Sequence, residues 1–518
     1  MTRAIQNQRT GNRQRPAWLT LLIVSLAVFN VPVALTGAGV ALPGVAEQMH
    51  PGPQALQWVV VGFNVTFASL MLAFGTIADR VGRRRIFLMG ISTFAVASTA
   101  CMFVDSILLL DIARAVGGIG ASATLTSGSA LIAARFSGHE RIRAFSIFGT
   151  AIGAGLAFGP LISGAMASLL GWQGVFAIPA GFGLLVALVA RPLLSESRNP
   201  DAHRLDWPGT LTFTAGLFLF IFALVEGPAL GWVSPGVLGS LLAFVALMAL
   251  FYAVEKRHPA PMFGLSLLRH SRFMAVSLAA MALAFSLLPL LVLMPTYFSA
   301  VDGFSALHSG MVLLLFTTPM VLMPLFAHVT NRLLSQRTQM IIAMLLVAGG
   351  MVWLSAVIGS GVSVGALAGP LLVTGIGYGA TLAVLDGAAI SSVEVNKAGM
   401  AAGMYNSFRL TGDTAASAVG GSLLVSITAA QLAGKVPHPD TVTAQLNGGV
   451  HTALPVATTA FTSAFHVVIW VGAALALITV PLLARALRPR PGLSTVVVRS
   501  EDAADPVPAE EAASEQVS

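Results

Sequence analysis

The stretch 75-GTIADRVGRRRIFL-88 places one aspartate and four arginines between two long apolar runs. Gly75 allows close helix approach, Gly82 permits a tight turn, and Asp79 can cap or pair locally. Arg83, Arg84 and Arg85 hold such a turn at the cytoplasmic surface if the flanking runs cross a membrane. A positively charged hairpin accounts for the arginines but not for the order Gly-x-x-x-Asp-Arg-x-Gly-Arg-Arg.

The rest of the chain settles whether the flanking runs cross. Of 518 residues, 56% are hydrophobic and 9% charged, and the mean hydropathy is +0.84. A soluble domain carries about 25% charge, and no polar linker divides this chain into soluble units. A spanning helix needs about 20 mainly apolar residues. Fourteen segments qualify: 17–43, 55–77, 86–104, 107–134, 143–169, 174–193, 209–226, 235–254, 273–299, 307–328, 338–357, 364–390, 401–428 and 461–484. They are too long and too rich in Gly and Ala for barrel strands, which run to about ten alternating residues. The single cysteine, Cys101, excludes an internal disulfide framework and a Cys metal cluster. His308, His328 and His466 are isolated and read as helix-end or packing residues, so neither a metal nor a cofactor is expected. The N-terminus shows no small-residue cleavage site, so no removable signal peptide is read. The Ala-, Pro- and Glu-rich stretch from about Ser494 reads as a disordered tail.

Positive charge sets the expected orientation. Of 28 Lys and Arg residues, Arg114 and Arg409 fall in the interior of spans and Lys435 follows span 13. All others fall at the chain ends or in and at the edges of connections after even-numbered spans, which share one side when fourteen spans are threaded. Both termini are therefore expected in the cytoplasm of a plasma-membrane protein. Basic loops facing anionic headgroups account for the net charge of +7. No basic domain is available for nucleic acid.

Spans 5 and 13 overlay, with Arg143-Ala144 over Lys397-Ala398 and Gly149 over Gly403. Asp79-Arg80 after span 2 has an echo in Asn331-Arg332 after span 10. The expected architecture is an all-α polytopic membrane protein of two six-helix bundles with two inserted central helices. Its expected parts are a basic terminus over 1–16, a bundle over 17–193, an insert over 194–272, a bundle over 273–484 and a tail over 485–518. Such repeats characterise secondary transporters, whose sites lie between the halves.

The loop after span 2 resembles the signature loop of the major facilitator superfamily. The resemblance implies a cytoplasmic latch between helices of the two halves, carried here by Gly75, Asp79, Arg80, Gly82, Arg83 and Arg84. Span 4 contains 107-ILLLDIARAVGGIGAS-122, where Asp111 and Arg114 share a helix face. An intramembrane charge costs at least about 2.5–3.5 kcal/mol. Arg114, Gly117 and Gly120 resemble the superfamily's span-4 motif, whose arginine is linked to proton transfer; a structural Asp–Arg pair near the outer surface is the other reading. In 149-GTAIGAGLAFGPLISG-164, Gly155, Gly159 and Gly164 leave a groove, and Pro160 removes a backbone donor. That pattern resembles the antiporter motif of the superfamily's exporters. The stretches 205-LDWPGTLTFTAG-216, 226-EGPALGW-232, 255-EKRHPAPMFGL-265, 294-MPTYFSAVDGFSALHSG-310 and 393-VEVNKAGMAAG-403 resemble the fourteen-span drug:proton antiporter branch. The resemblance runs from about 17 to 485. It implies export of amphipathic drugs, dyes, antibiotics or metabolites in exchange for protons. The expected partners are membrane lipids, a small amphipathic substrate and protons, and the expected state is a monomer.

One departure redirects attention within the chain. The branch carries an aspartate in span 1, but 33-VALTGAGVALP-43 has Ala34 at that position and Gly39 where an Asn is usual. Asn30 remains but does not titrate. Span 13 contains 404-MYNSFRLTGDTAASAVGGSLL-424, with Arg409 and Asp413 four residues apart. Arg409 matches an arginine common in the branch, and Asp413 is this chain's own variation. Low dielectric opposes the charge on Asp413 and Arg409 supports it. The pair reads either as a protonation site that switches as water access alternates or as a static ion pair. Asn30, Trp58, Phe63, Phe67, Tyr297, Tyr378 and Phe408 are candidates to line a substrate cavity. Asp386 reads as a loop or helix-end acid as readily as a functional one, and Glu226 as an acid at headgroup level. The letters 361-GVSVG-365 match a nucleophile elbow, but that motif needs a strand-to-helix turn with His and Asp partners, and no enzyme is expected. No phosphate-binding Gly-x-x-x-x-Gly-Lys-Ser/Thr loop is present, so ATP does not drive the chain directly. A proton-independent facilitator or uptake carrier of the same fold is the alternative, with a membrane enzyme or receptor further off.

Overall fold

The computed structural model describes residues 16–198, 206–258, 263–326, 330, 333–391 and 398–488. Within them lie fourteen helices long and apolar enough to cross a membrane. Spans 1 to 6 are Ala17–Met49, Pro53–Val81, Arg83–Phe103, Ile107–Arg135, Gly138–Leu170 and Gly174–Leu193. Spans 7 and 8 are Trp207–Leu230 and Pro235–Arg257. Span 9 runs from Ser271–Leu288 through a π-helical turn, Pro289–Leu293, into Met294–Asp302. Span 10 is Ala306–Leu322 with a 3-10 extension, Met323–Phe326. Spans 11 to 14 are Gln336–Val357, Val364–Ser391, Ala398–Leu432 and Pro455–Ala486.

Local chemistry explains several boundaries. Pro53, Pro235 and Pro455 open spans 2, 8 and 14 at a position where a missing N–H costs nothing. Asp206 caps span 7, accepting from the Gly209 N–H at 2.8 Å. Pro289, in mid-helix, removes a donor where the π turn forms. Gly82, with φ of 133°, makes the turn between spans 2 and 3 in a backbone region closed to other residues. Among the described residues the sequence reading missed two short elements, the 3-10 turn Leu267–Arg269 before span 9 and the helix Pro439–Asn447 between spans 13 and 14.

The two bundles repeat one another. Span 1 packs on 5 and 6, span 2 on 4, and span 3 on 4 and 6. Correspondingly, span 9 packs on 13 and 14, span 10 on 12, and span 11 on 12 and 14. The halves meet where span 5 lies against span 10 and span 2 against span 13, contacts related by the same pseudo-symmetry. Glycine lets these backbones touch: a Cβ at Gly164 would sit 2.5 Å from the Ala306 carbonyl oxygen, and one at Gly310 2.8 Å from that of Pro160. Span 7 lies on both span 2 and span 13, and span 8 packs on span 7.

The halves do not close evenly. At the end opposite the arginine turn, Gly39 lies against the Val292 backbone and the short helix covers the junction, its following Gly448 on Ala46 and Gly449 on Pro43. Toward the arginine-rich end, Gly75, Gly149 and Gly387 face open space. The basic terminus, the tail from residue 489, His328 and Asn331-Arg332 lie outside the described residues.

Candidate functional site

Asp413 lies on a stripe of span 13, continued one and two turns on by Ser417 and Gly421, that faces span 2. The stripe is polar at its base. Thr414 Oγ1 donates to the Asn64 carbonyl at 3.3 Å, and Asn64 Nδ2 donates to Ser417 Oγ at 3.4 Å. Ser417 Oγ in turn donates to the Asp413 carbonyl at 3.1 Å. One turn further from the basic end, Gly421 meets the Gln57 amide. A small cavity of about 30 Å³ follows, lined by Gln57, Val61, Leu293, Ser417, Gly421 and Asn447. That volume accommodates about one water. The Asp413 side chain is half-buried, and Arg409, one turn toward the basic end, acts on it electrostatically. The acid is thus at the foot of the seam where the halves close.

Arg114 is 4% exposed and sits inside the N-terminal bundle, about two turns from the start of span 4. Its Nε donates to the Val59 carbonyl at 2.8 Å and its Nη1 to the Ala34 carbonyl at 3.3 Å. The guanidinium lies 4.4 Å over the Phe63 ring and 5.7 Å from that of Phe176. Carbonyl dipoles and aromatic faces, worth about 0.5–2 kcal/mol per ring contact, therefore hold this cation. The expected Asp111–Arg114 pair does not form: among the described residues no ion pair within 4.0 Å joins them, and Asp111 Oδ1 has no hydrogen-bond partner. Ala34, standing where the branch has its acid, offers Arg114 a backbone oxygen instead.

The arginine turn is tied within its own half. Asp79 pairs with Arg83 at 2.7 Å. The Arg83 N–H donates to the Ser197 carbonyl at 3.0 Å, and the Arg84 N–H to Glu196 Oε1 at 3.1 Å. Arg85 reaches Glu196 at 3.8 Å, and Arg84 Nη2 donates to the Arg191 carbonyl at 2.5 Å. Among the described residues, the partners that Arg83, Arg84 and Arg85 reach beyond Asp79 belong to the end of span 6 and the segment after it. Arg80 is exposed. Asp79→Asn removes the pair that fixes Arg83. Initial rates of efflux should fall severalfold with the amount of protein in the membrane unchanged, as read by dye efflux against immunoblot.

The glycines of 149–164 divide by position. Gly155 and Gly159 face span 1, where a Cβ would fall on the Phe29 carbonyl and the Thr36 hydroxyl, while Gly164 faces span 10. The cavity candidates are dispersed. Asn30 is fully buried and donates to the Pro179 carbonyl at 3.0 Å. Tyr297 stacks on Phe465 at 4.8 Å with its hydroxyl 3.0 Å from Thr462. Tyr378 packs beside Phe316 and Phe408 beside Phe263, each pair at 6.3 Å. Trp58 donates to Glu226 at 2.9 Å and lies against Phe218 at 5.7 Å. Glu226 is therefore half-buried and bonded between spans 2 and 7, near the ends of both that lie opposite the arginine turn. The Asp386 side chain lies outside the described residues. Ser363 of the elbow-like letters accepts from the Ala366 N–H at 3.3 Å and caps span 12, with no strand beside it among the described residues. Sequence reasoning missed Asn64 and Gln57, each one letter in an apolar helix.

Two like bundles that meet along a seam, closed at one end and carrying an acid at its foot, define a polytopic membrane transporter built from an internal repeat. The family model for the Major Facilitator Superfamily matches residues 24–417. The chain belongs to that superfamily, whose members are transporters and not enzymes. It is 30% identical over 436 residues to the drug efflux pump JefA of Mycobacterium tuberculosis, covering 82% of each chain. It is 29% identical over 420 residues to the multidrug resistance protein Stp of the same species, covering 81% of this chain and 78% of that one. The tetracenomycin C resistance and export protein of Streptomyces glaucescens is 28% identical over 420 residues, with 80% and 77% covered. A bacterial homologue of the human lysosomal transporter Spinster, solved inward-facing and unoccupied, shares the fold with a TM-score of 0.63 at 14% identity, over 92% of this chain and 98% of that one.

Proposed function

We propose that the chain exports small amphipathic molecules across the plasma membrane in exchange for protons, with both termini in the cytoplasm. The position of Asp413 carries this reading. An acid at the foot of a closing seam is reached from one side when the seam is shut and from the other when it opens. Proton uptake and release then alternate with substrate access. The segregation of Lys and Arg supports the orientation, and it makes the open, arginine-rich end the cytoplasmic one. The glycine groove of span 5 and the relatives that act in drug efflux and antibiotic export support the direction of transport. In this cycle Asp413 takes a proton from the outer solution, the outer end closes, and substrate and proton exchange at the cytoplasmic end. Arg409 limits how firmly the acid holds its proton, and Arg114 orients spans 1, 2 and 4 beside it.

Everted membrane vesicles test this. An acid-inside gradient should drive uptake of an amphipathic fluorescent dye, and a protonophore should abolish it. Uptake that persists without the gradient would favour a facilitator, and no uptake of any compound in an amphipathic panel would set export aside.

A further inference from the structure

The seam contains a buried acceptor that no contact explains. Asn64 is 2% exposed, and its Nδ2 is engaged by Ser417, yet its Oδ1 has no hydrogen-bond partner. Leaving such an atom unpaired is costly, so it calls for a donor in some state of the protein. The other bonds of this side chain and its backbone run to Ser417 and Thr414, which bracket the turn that follows Asp413. The nearby hydroxyls are already engaged, and the unpaired Gln57 Nε2 lies two turns away along span 2. Ser417 spends its hydroxyl hydrogen on the Asp413 carbonyl and Thr414 has two acceptors to serve. A protonated carboxyl is a donor, whereas a carboxylate only accepts.

We propose that Asn64 Oδ1 accepts a hydrogen bond from protonated Asp413, directly or through one water, and that this bond locks the outer seam shut. The proposal rests on the proton-coupling reading of Asp413. The proton comes from outer water onto the Asp413 carboxyl, stays there while the bond to Asn64 holds, and leaves to cytoplasmic water. Once it has left, carboxylate and amide oxygen repel, and the clasp between spans 2 and 13 weakens. The sign suits an exporter, because the proton-loaded protein closes outward and the proton-free protein opens there with substrate. Among the described residues Arg409, on the same helix, is the charged group that acts on Asp413. The charged and titratable groups of the packed elements whose side chains are described lie toward the ends of those elements: Glu226, Asp440 and His466 toward the outer end, and Asp79, Arg80, Arg272 and Arg485 toward the basic end, while the side chain of Asp386 on span 12 lies outside the described residues. Asn64 is thus a positioning residue, acting on coupling through the acid.

The test reads exposure of the seam directly. Cys101 is replaced by Ala, and Leu42, 5% exposed on the seam cavity, by Cys. An impermeant maleimide is applied from outside between pH 5.5 and 8.5. A Val233→Cys reporter, at a site 84% exposed, corrects for the pH dependence of thiol reactivity. Corrected labelling should rise about tenfold from acid to alkaline pH, the factor one good hydrogen bond supplies. Asn64→Leu should flatten that dependence, and Asp413→Asn, whose amide always donates, should keep labelling slow throughout. Asn64→Asp, which faces Asp413 with a second acid able to hold the shared proton, should move the transition to higher pH. Wild-type pH dependence in Asn64→Leu, or an unmoved transition in Asn64→Asp, overturns the proposal even if Asp413→Asn behaves as stated. Wild-type pH dependence in Asp413→Asn overturns the coupling reading itself.

Discussion

Asp413→Asn is expected to reduce gradient-driven efflux to the background of empty membranes while leaving the protein in the membrane and able to bind substrate. The substitution keeps the volume and polarity of the side chain, so packing against span 2 is retained. It removes only the capacity to gain and lose a proton. Ala34 stands where the branch has its acid, and among the described residues Asp111 makes no ion pair within 4.0 Å with Arg114. The large effect therefore follows from Asp413 bearing the coupling alone on this seam. Dye efflux against an imposed pH gradient, together with dye binding to purified protein, checks both halves of the expectation. Normal efflux by this variant would end the coupling role, and lost binding would make the residue a substrate contact instead.

Gly155→Leu should abolish transport by a different route. A Cβ at Gly155 would fall on the Phe29 carbonyl oxygen and lie 3.2 Å from Pro32 Cβ. The first obstacle is backbone and the second a ring, so neither can swing aside. Spans 1 and 5 must separate, at a cost at or beyond the ~3 kcal/mol upper end of overpacking. Gly149, in the same glycine-rich stretch, has nothing within 4 Å of its Cβ position. Gly149→Leu is then the matched control, with little effect on stability. Thermal unfolding in detergent should show a drop of several degrees for Gly155→Leu and almost none for Gly149→Leu. Equal behaviour would mean that the motif's glycines do not act through contact with span 1.

Most of the fold was legible because the bilayer imposes a length and a sidedness that letters record. The spans follow from windows of about 20 apolar residues, and the distribution of arginines fixed their number. The pseudo-symmetry was visible only as faint echoes such as Gly149 over Gly403, because packing partners, not identities, are what the halves share. Pro439–Asn447 was invisible: nine residues of mixed polarity carry neither a spanning signal nor a long amphipathic period. The site was legible in its charges and not in their partners. Arg114 was conspicuous, but two of its ligands are backbone oxygens of Val59 and Ala34, which no residue type announces. The bond of Glu226 escaped notice because its partner, Trp58, is 168 residues away. Asn64 escaped notice because a single amide in an apolar helix is ordinary until its unpaired oxygen is seen.

Exchange of protons against substrate can be measured without cells. Purified protein in liposomes holding a trapped pH dye is given an outward gradient of an amphipathic substrate. The account predicts proton movement opposite to the substrate in the wild type and none in Asp413→Asn. Substrate flux by the wild type with no accompanying proton movement would contradict it.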